Sequence, residues 1–139
     1  MTVENTIEKT QWYPHPIDKV WKALTQTEQV SKWLAPTNFK AEVGAKYELH
    51  SSEAECNVVE GVVKEVKPYT LVYSWIALNY KNVITEVRWN LTKEKDGTKV
   101  SMIHSGILRY DGKAADEMFE SFSGGWKRCF NQIEEVLNS

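Results

Sequence analysis

The chain has 139 residues, 17 basic against 19 acidic side chains and a formal net charge of −2, a length that suits a single domain spanning 1–139. So small a charge offers no attraction to a phosphate backbone or an anionic lipid surface, and no apolar run reaches bilayer length, so neither nucleic acid nor a membrane is expected as a partner. The start Met1-Thr2-Val3-Glu4-Asn5 lacks a basic region followed by an apolar run, and Cys56 and Cys129 lie far apart without a motif, which reads as a cytoplasmic protein with reduced, structural thiols.

Residues Thr2 to Tyr13 alternate weakly and stop at Pro14 and Pro16, which predicts a first strand. Ile17, Val20, Trp21 and Leu24 then follow helical spacing, with Pro16 near the helix start, where its missing N–H is harmless. Thr25 and Glu28 are spaced as a capping box for a second, short helix carrying Val30, Trp33 and Leu34, which Pro36 stops. Strands follow in series. Phe39 to His50 is interrupted at Gly44, Asn57 to Val66 leads into a turn at Lys67-Pro68-Tyr69-Thr70, and Leu71 to Ile76 comes next. Val83 to Lys93 and Thr98 to Ile107 flank Asp96-Gly97, a hairpin signal. The chain closes with a long amphipathic helix, Ala114 to Leu137.

Periodicity also assigns faces. Leu71, Tyr73 and Trp75 share one side of their strand, as do Val87, Trp89 and Leu91, and Val100, Met102 and His104. Val58 to Val66 is apolar in both phases, which leaves its register open. On the last helix Met118, Phe119, Phe122, Trp126, Cys129, Phe130, Ile133, Val136 and Leu137 make a stripe roughly 120° wide, matched to a sheet that needs a cover. The fold class is α+β: a curved antiparallel sheet of six or seven strands, two short helices, and the long C-terminal helix packed across it.

Gly124 and Gly125 interrupt that helix, each at a cost of about 1 kcal/mol relative to alanine. Two readings fit: close approach of the helix to the sheet, or room kept open beside Trp126.

The segment Ile17-Asp18-Lys19-Val20-Trp21-Lys22-Ala23-Leu24-Thr25, followed by Lys32-Trp33-Leu34-Ala35-Pro36, resembles the opening helices of the activator of heat-shock protein 90 ATPase homologue family. Glu60-Gly61-Val62-Val63 with Pro68, the Leu71 to Trp75 strand, His104-Ser105-Gly106 and Gly125-Trp126 extend the likeness, in order, over nearly the whole chain. The sequence departs from the family pattern at Gln26-Thr27 and Gly44-Ala45, and Ala77 to Asn82 and Arg109 to Lys113 match nothing in it. The resemblance implies the START-like, Bet v-like (SRPBCC) superfamily and its helix-grip fold, with a hollow between sheet and terminal helix. Superfamily members use that hollow for lipids, sterols, polyketides or other apolar molecules, and some are cyclases or hydrolases. The co-chaperones of the family contact a chaperone through a domain of this type.

The expected wall of such a pocket is Tyr73, Trp75, Val87, Trp89, Met102, His104, Phe122 and Trp126. Trp75 and Trp89 can either fill the core or line a pocket with their N–H groups free for a ligand oxygen. Gly61, Gly106 and Gly125 remove bulk nearby, which favours a remaining pocket. His104 can serve as acid, base or ligand contact, or be a histidine satisfied by a neighbouring backbone or hydroxyl group. No nucleophile or second base accompanies it, so no catalytic residue is assigned. His15, His50, Glu53, Glu55 and Cys56 follow no metal spacing, and Glu53-Ala54-Glu55-Cys56 reads as a solvated hairpin turn, so neither metal nor cofactor is expected.

The reading these features favour is a binding module for a small hydrophobic or aromatic molecule, as a monomer or weak homodimer. A co-chaperone-like protein contacting a chaperone, and a cyclase- or hydrolase-like enzyme using His104, are the alternatives.

Overall fold

The computed structural model describes residues 5–50 and 57–139. The start of the first predicted strand and the turn read at Glu53-Ala54-Glu55-Cys56 lie outside the described residues.

The elements follow the predicted order. Strand β1 spans Thr6–Tyr13, helices α1 and α2 span Ile17–Thr25 and Thr27–Trp33, and β2 to β6 span Lys46–His50, Asn57–Lys67, Thr70–Ala77, Thr85–Glu94 and Gly97–Ser105. Helix α3, Gly112–Asn138, closes the chain. The six strands form one antiparallel sheet in the order β1-β6-β5-β4-β3-β2. It is a curved meander with the first strand returned beside the last, and α3 lies across its concave face. No helix among the described residues is long and apolar enough to cross a membrane.

The residues proposed to face inward are buried, although on β4 Val72 and Ser74 of the other face are buried as well. Leu71, Tyr73, Trp75, Val87, Trp89, Leu91, Val100, Met102 and His104 are all buried, with β4 and β5 in register at Tyr73↔Val87 and β5 and β6 at Trp89↔Met102. The ambiguous register of β3 has a physical cause. A bulge between Val63 and Glu65 shifts the pairing, so Val59, Gly61 and Val63 face inward before it and Val66 packs on the core after it.

Strand ends shift by one or two residues, as at Thr85 and Ser105, and three local readings differ from expectation. Thr25 does not cap α2: its hydroxyl donates back to the Trp21 carbonyl at 2.8 Å. Gln26 takes the cap position, its side chain accepting from the Gln29 amide at 3.0 Å and not from a backbone N–H. The hydroxyl of Thr27 instead donates to the Phe39 carbonyl and ties α2 to the next segment. That segment is no strand before Lys46. Only Thr37 bridges to Leu49, and Gly44, at φ +89°, turns the chain so that its N–H reaches the Val63 carbonyl at 2.8 Å. Phe39 is buried there, edge-on to Tyr47 and Tyr73 at centroid distances of 5.5 and 5.4 Å. The β5–β6 turn is Lys95-Asp96, one residue earlier than read, and Gly97 already belongs to β6. A Cβ on Gly97 would lie 2.2 Å from the Tyr13 carbonyl, so this glycine serves the packing of β1 and not the turn.

Helix α3 is held at both sides. The Tyr13 hydroxyl donates to the Phe130 carbonyl at 2.8 Å, while Trp89 stacks on Phe130 with centroids 5.6 Å apart and meets Trp126 edge-on at 5.8 Å. Trp33, whose N–H donates to the Ala23 carbonyl, closes the same cluster from α2 at 5.5 Å from Trp89. From Trp126 onward the stripe of α3 is mostly buried. Before it, Met118, Phe119 and Phe122 are only half-buried.

Candidate functional site: an apolar cleft beside a saturated aromatic core

The half-buried part of α3 stands over the β2–β4 side of the sheet and leaves a cleft of about 420 Å³. Trp75 of β4, Leu49 of β2 and Val59 of β3 supply the sheet side, and Leu34 and Ala35, just after α2, supply one end. The helix contributes Phe122, Gly125, Trp126 and Cys129, with Val58, Ser121 and Arg128 at the exposed mouth. Trp126 lies 5.2 Å from Trp75 between centroids, and Phe122 meets Trp75 edge-on at 6.1 Å.

The glycine pair belongs here. A Cβ added at Gly124 or Gly125 meets no atom within 4 Å, so neither glycine serves close approach to the sheet. Gly125 lines the cleft beside Trp126, which leaves the second reading. Gly61 and Gly106 do not line it. Gly61 lets Tyr47 and Ser74 close over β3, and Gly106 sits at φ +96° against Arg109.

Of the eight side chains expected to form the wall, Trp75, Phe122 and Trp126 line the cleft. Tyr73, Val87, Trp89, Met102 and His104 do not reach it. They form the layer beneath, each at most 2% exposed, because the indoles of Trp89 and Trp126 and the ring of Phe130 fill the centre of the expected hollow. The void survives to one side of that plug, so Leu34, Ala35, Leu49, Val58 and Val59 enter the wall. Their only sequence signal was being apolar. Cys129 was read as a structural thiol. It lines the cleft, and burial pushes its thiol up to about 11, so it is protonated at neutral pH.

His104 is satisfied on both ring nitrogens. The Trp126 indole N–H, which can only donate, reaches Nδ1 at 3.0 Å. The ring proton therefore sits on Nε2, 2.7 Å from the Thr85 hydroxyl, which donates its own hydrogen to the Trp75 carbonyl at 2.9 Å. Phe122 stacks on the imidazole at 4.7 Å. Burial lowers the His104 pKa to about 3, so the ring is neutral and committed. As an acid or base it is spent.

The indoles of the core differ in the same respect. Trp89 Nε1 donates to the Tyr73 hydroxyl at 2.9 Å and Trp126 Nε1 to His104, whereas Trp75 Nε1 is buried with no partner. Among the described residues no group of three His, Cys, Asp or Glu side chains is placed to hold a metal ion.

A curved antiparallel sheet gripping a long C-terminal helix, with an apolar cleft kept between them, is the helix-grip architecture. Residues 14–138 match the family model for Activator of Hsp90 ATPase homolog 1-like protein, and the chain belongs to that family. Among solved structures, protein MLL2253 of Mesorhizobium loti is 26% identical, over 96% of this chain and 96% of its own, with a TM-score of 0.84. Protein BH1534 of Bacillus halodurans is 24% identical, over 99% of each chain, at 0.78. The Aha1 dimer from Colwellia psychrerythraea is 15% identical, over 95% of each chain, at 0.76. The last two likenesses carry the fold alone. No curated protein matches the chain.

Proposed function

We propose that this protein is a binding module for a small apolar or aromatic molecule held in the cleft between α3 and the β2–β4 side of the sheet. The observation that carries the reading is a cleft of about 420 Å³, open at its mouth and lined by Trp75, Phe122 and Trp126 among others, beside a core otherwise packed with rings. Small-molecule sites are mostly apolar hollows of about 300–1,000 Å³ with few polar groups. Gly125 supports the same reading, since the helix forgoes a side chain where the cleft lies. The chemistry favours binding over turnover: His104 has no free nitrogen and Cys129 is held as a thiol.

Native mass spectrometry and thermal shift against aromatic ketones, flavonoid-like polyphenols and fatty acids test the proposal. At least one aromatic class is expected to bind and raise the melting temperature. Gly125→Leu, which places a side chain in the cleft, is expected to weaken that ligand at least about tenfold, or 1.4 kcal/mol. No shift with any class, or an affinity indifferent to Gly125→Leu, would remove the cleft as the site.

A further inference from the structure

Among the described residues two buried side-chain groups lack a hydrogen-bond partner, Trp75 Nε1 and the Tyr110 hydroxyl, and of the two only Trp75 lines the cleft. Trp75 is 7% exposed as a residue, and the side-chain hydrogen bond made to it goes to its backbone, where Thr85 donates to its carbonyl. The neighbouring indoles show the rule that it breaks. Trp89 spends its N–H on Tyr73, and Trp126 on His104. A donor left unpaired in an apolar surrounding costs about 1–3 kcal/mol, and a ligand acceptor placed there recovers it.

We propose that the ligand carries an oxygen acceptor on its aromatic body and is fixed in the cleft by a hydrogen bond from Trp75 Nε1. The ligand class is thus an aromatic ketone or a similarly oxygenated ring system, as opposed to a plain hydrocarbon or the tail of a fatty acid. Phe122 is the gate to this contact. Trp75 Nε1 is closed off from solvent, so the contact needs a neighbouring ring to move. That movement is assigned to Phe122, which is half-buried, lines the cleft, packs edge-on against Trp75 and stacks on His104. Discrimination follows from the protein side. A hydrocarbon of equal shape leaves the indole N–H unpaired, while a ketone satisfies it. The cleft offers Arg128, Ser121 and the Cys129 thiol as further polar groups, of which Arg128 and Ser121 are exposed at the mouth, while Cys129 is buried like Trp75.

The inference rests on the cleft being the binding site, and the test separates the two. Acetylnaphthalene and ethylnaphthalene have nearly the same shape, and only the first has an acceptor. The wild-type protein should bind both, the ketone about tenfold or more tightly. Trp75→Phe keeps an aromatic wall and removes the donor. It should bring the ketone down to the hydrocarbon's affinity and leave the hydrocarbon within about twofold. On the wild-type protein, where folding is not in question, the ketone's carbonyl stretch should move to lower frequency and one indole N–H proton resonance should move downfield, with no such movement for the hydrocarbon. Equal affinity of the two probes, or a ketone preference that survives Trp75→Phe, overturns the role of Trp75 while the cleft stands. Failure of both probes to bind overturns this inference, and the cleft falls with it only when the polyphenols and fatty acids give no shift either.

Discussion

The indole of Trp126, on α3, donates its N–H to Nδ1 of His104, on β6, at 3.0 Å, and that single bond sets the proton of the imidazole on the far nitrogen. From there the chain of donors runs through Thr85 to the backbone of Trp75. Helix and sheet are thereby joined through a neutral, fully enclosed histidine next to the cleft.

A pH dependence follows. Folded His104 takes up a proton only near pH 3, whereas the unfolded chain takes one up near its ordinary 6.5. Between those values the unfolded state binds the extra proton, so the stabilisation is complete above pH 6.5 and is lost as pH falls towards 3. The loss approaches about 1.4 kcal/mol per pH unit. Urea unfolding across pH 4–7, at roughly half-unit steps, should show this slope in the wild-type protein. His104→Gln should be less stable at neutral pH by about 1–3 kcal/mol, because Trp126 or Thr85 is left unpaired, and its slope below pH 6.5 should be shallower. An identical slope in both proteins would show that other groups govern acid unfolding.

The glycine pair separates stability from binding. With open space at both positions, Gly124→Ala and Gly125→Ala should each stabilise the protein by up to about 1 kcal/mol, through helix propensity and reduced freedom of the unfolded chain. That amounts to a rise of about 3–5 °C in melting temperature. Gly124 is not part of the cleft wall, so its variant should keep full ligand affinity, while the Gly125 variant should lose some of it. Equal binding losses in the two variants would contradict this division.

Gly61 and Gly97 should behave in the opposite way. A Cβ at Gly61 would lie 2.1 Å from the Ser74 carbonyl, and one at Gly97 would lie 2.2 Å from the Tyr13 carbonyl. Backbone cannot give way as a side-chain tip can, so either alanine variant must displace a strand. The expected cost is about 3 kcal/mol or more, seen as a drop in the unfolding midpoint or a failure to fold. A neutral alanine at either site would refute the strand packing described.

How much of this was legible beforehand depended on the range of the information needed. Alternation on β4, β5 and β6 named Tyr73, Trp89, Met102 and His104 as inward residues, and they are buried. The same alternation could not say that the plug of Trp89, Trp126 and Phe130 would fill the middle of the hollow and confine the cleft to its side. Leu34 and Ala35 carried no mark of their part in the wall, since they join it only through the position of α2 beside α3. The bulge in β3 was hidden for a related reason: apolar residues in both phases are what a strand shows when its register slips midway.

The order of elements, the inward faces of β4 to β6 and the family were determined by the sequence alone, because they rest on spacings of two to four residues and on short motifs in order. Which indole keeps an unspent N–H was decided only by the tertiary structure. The acceptors that satisfy the neighbouring Trp89 and Trp126 arrive from positions 16 and 22 residues away in the chain. No local pattern counts hydrogen bonds between residues that meet only after folding.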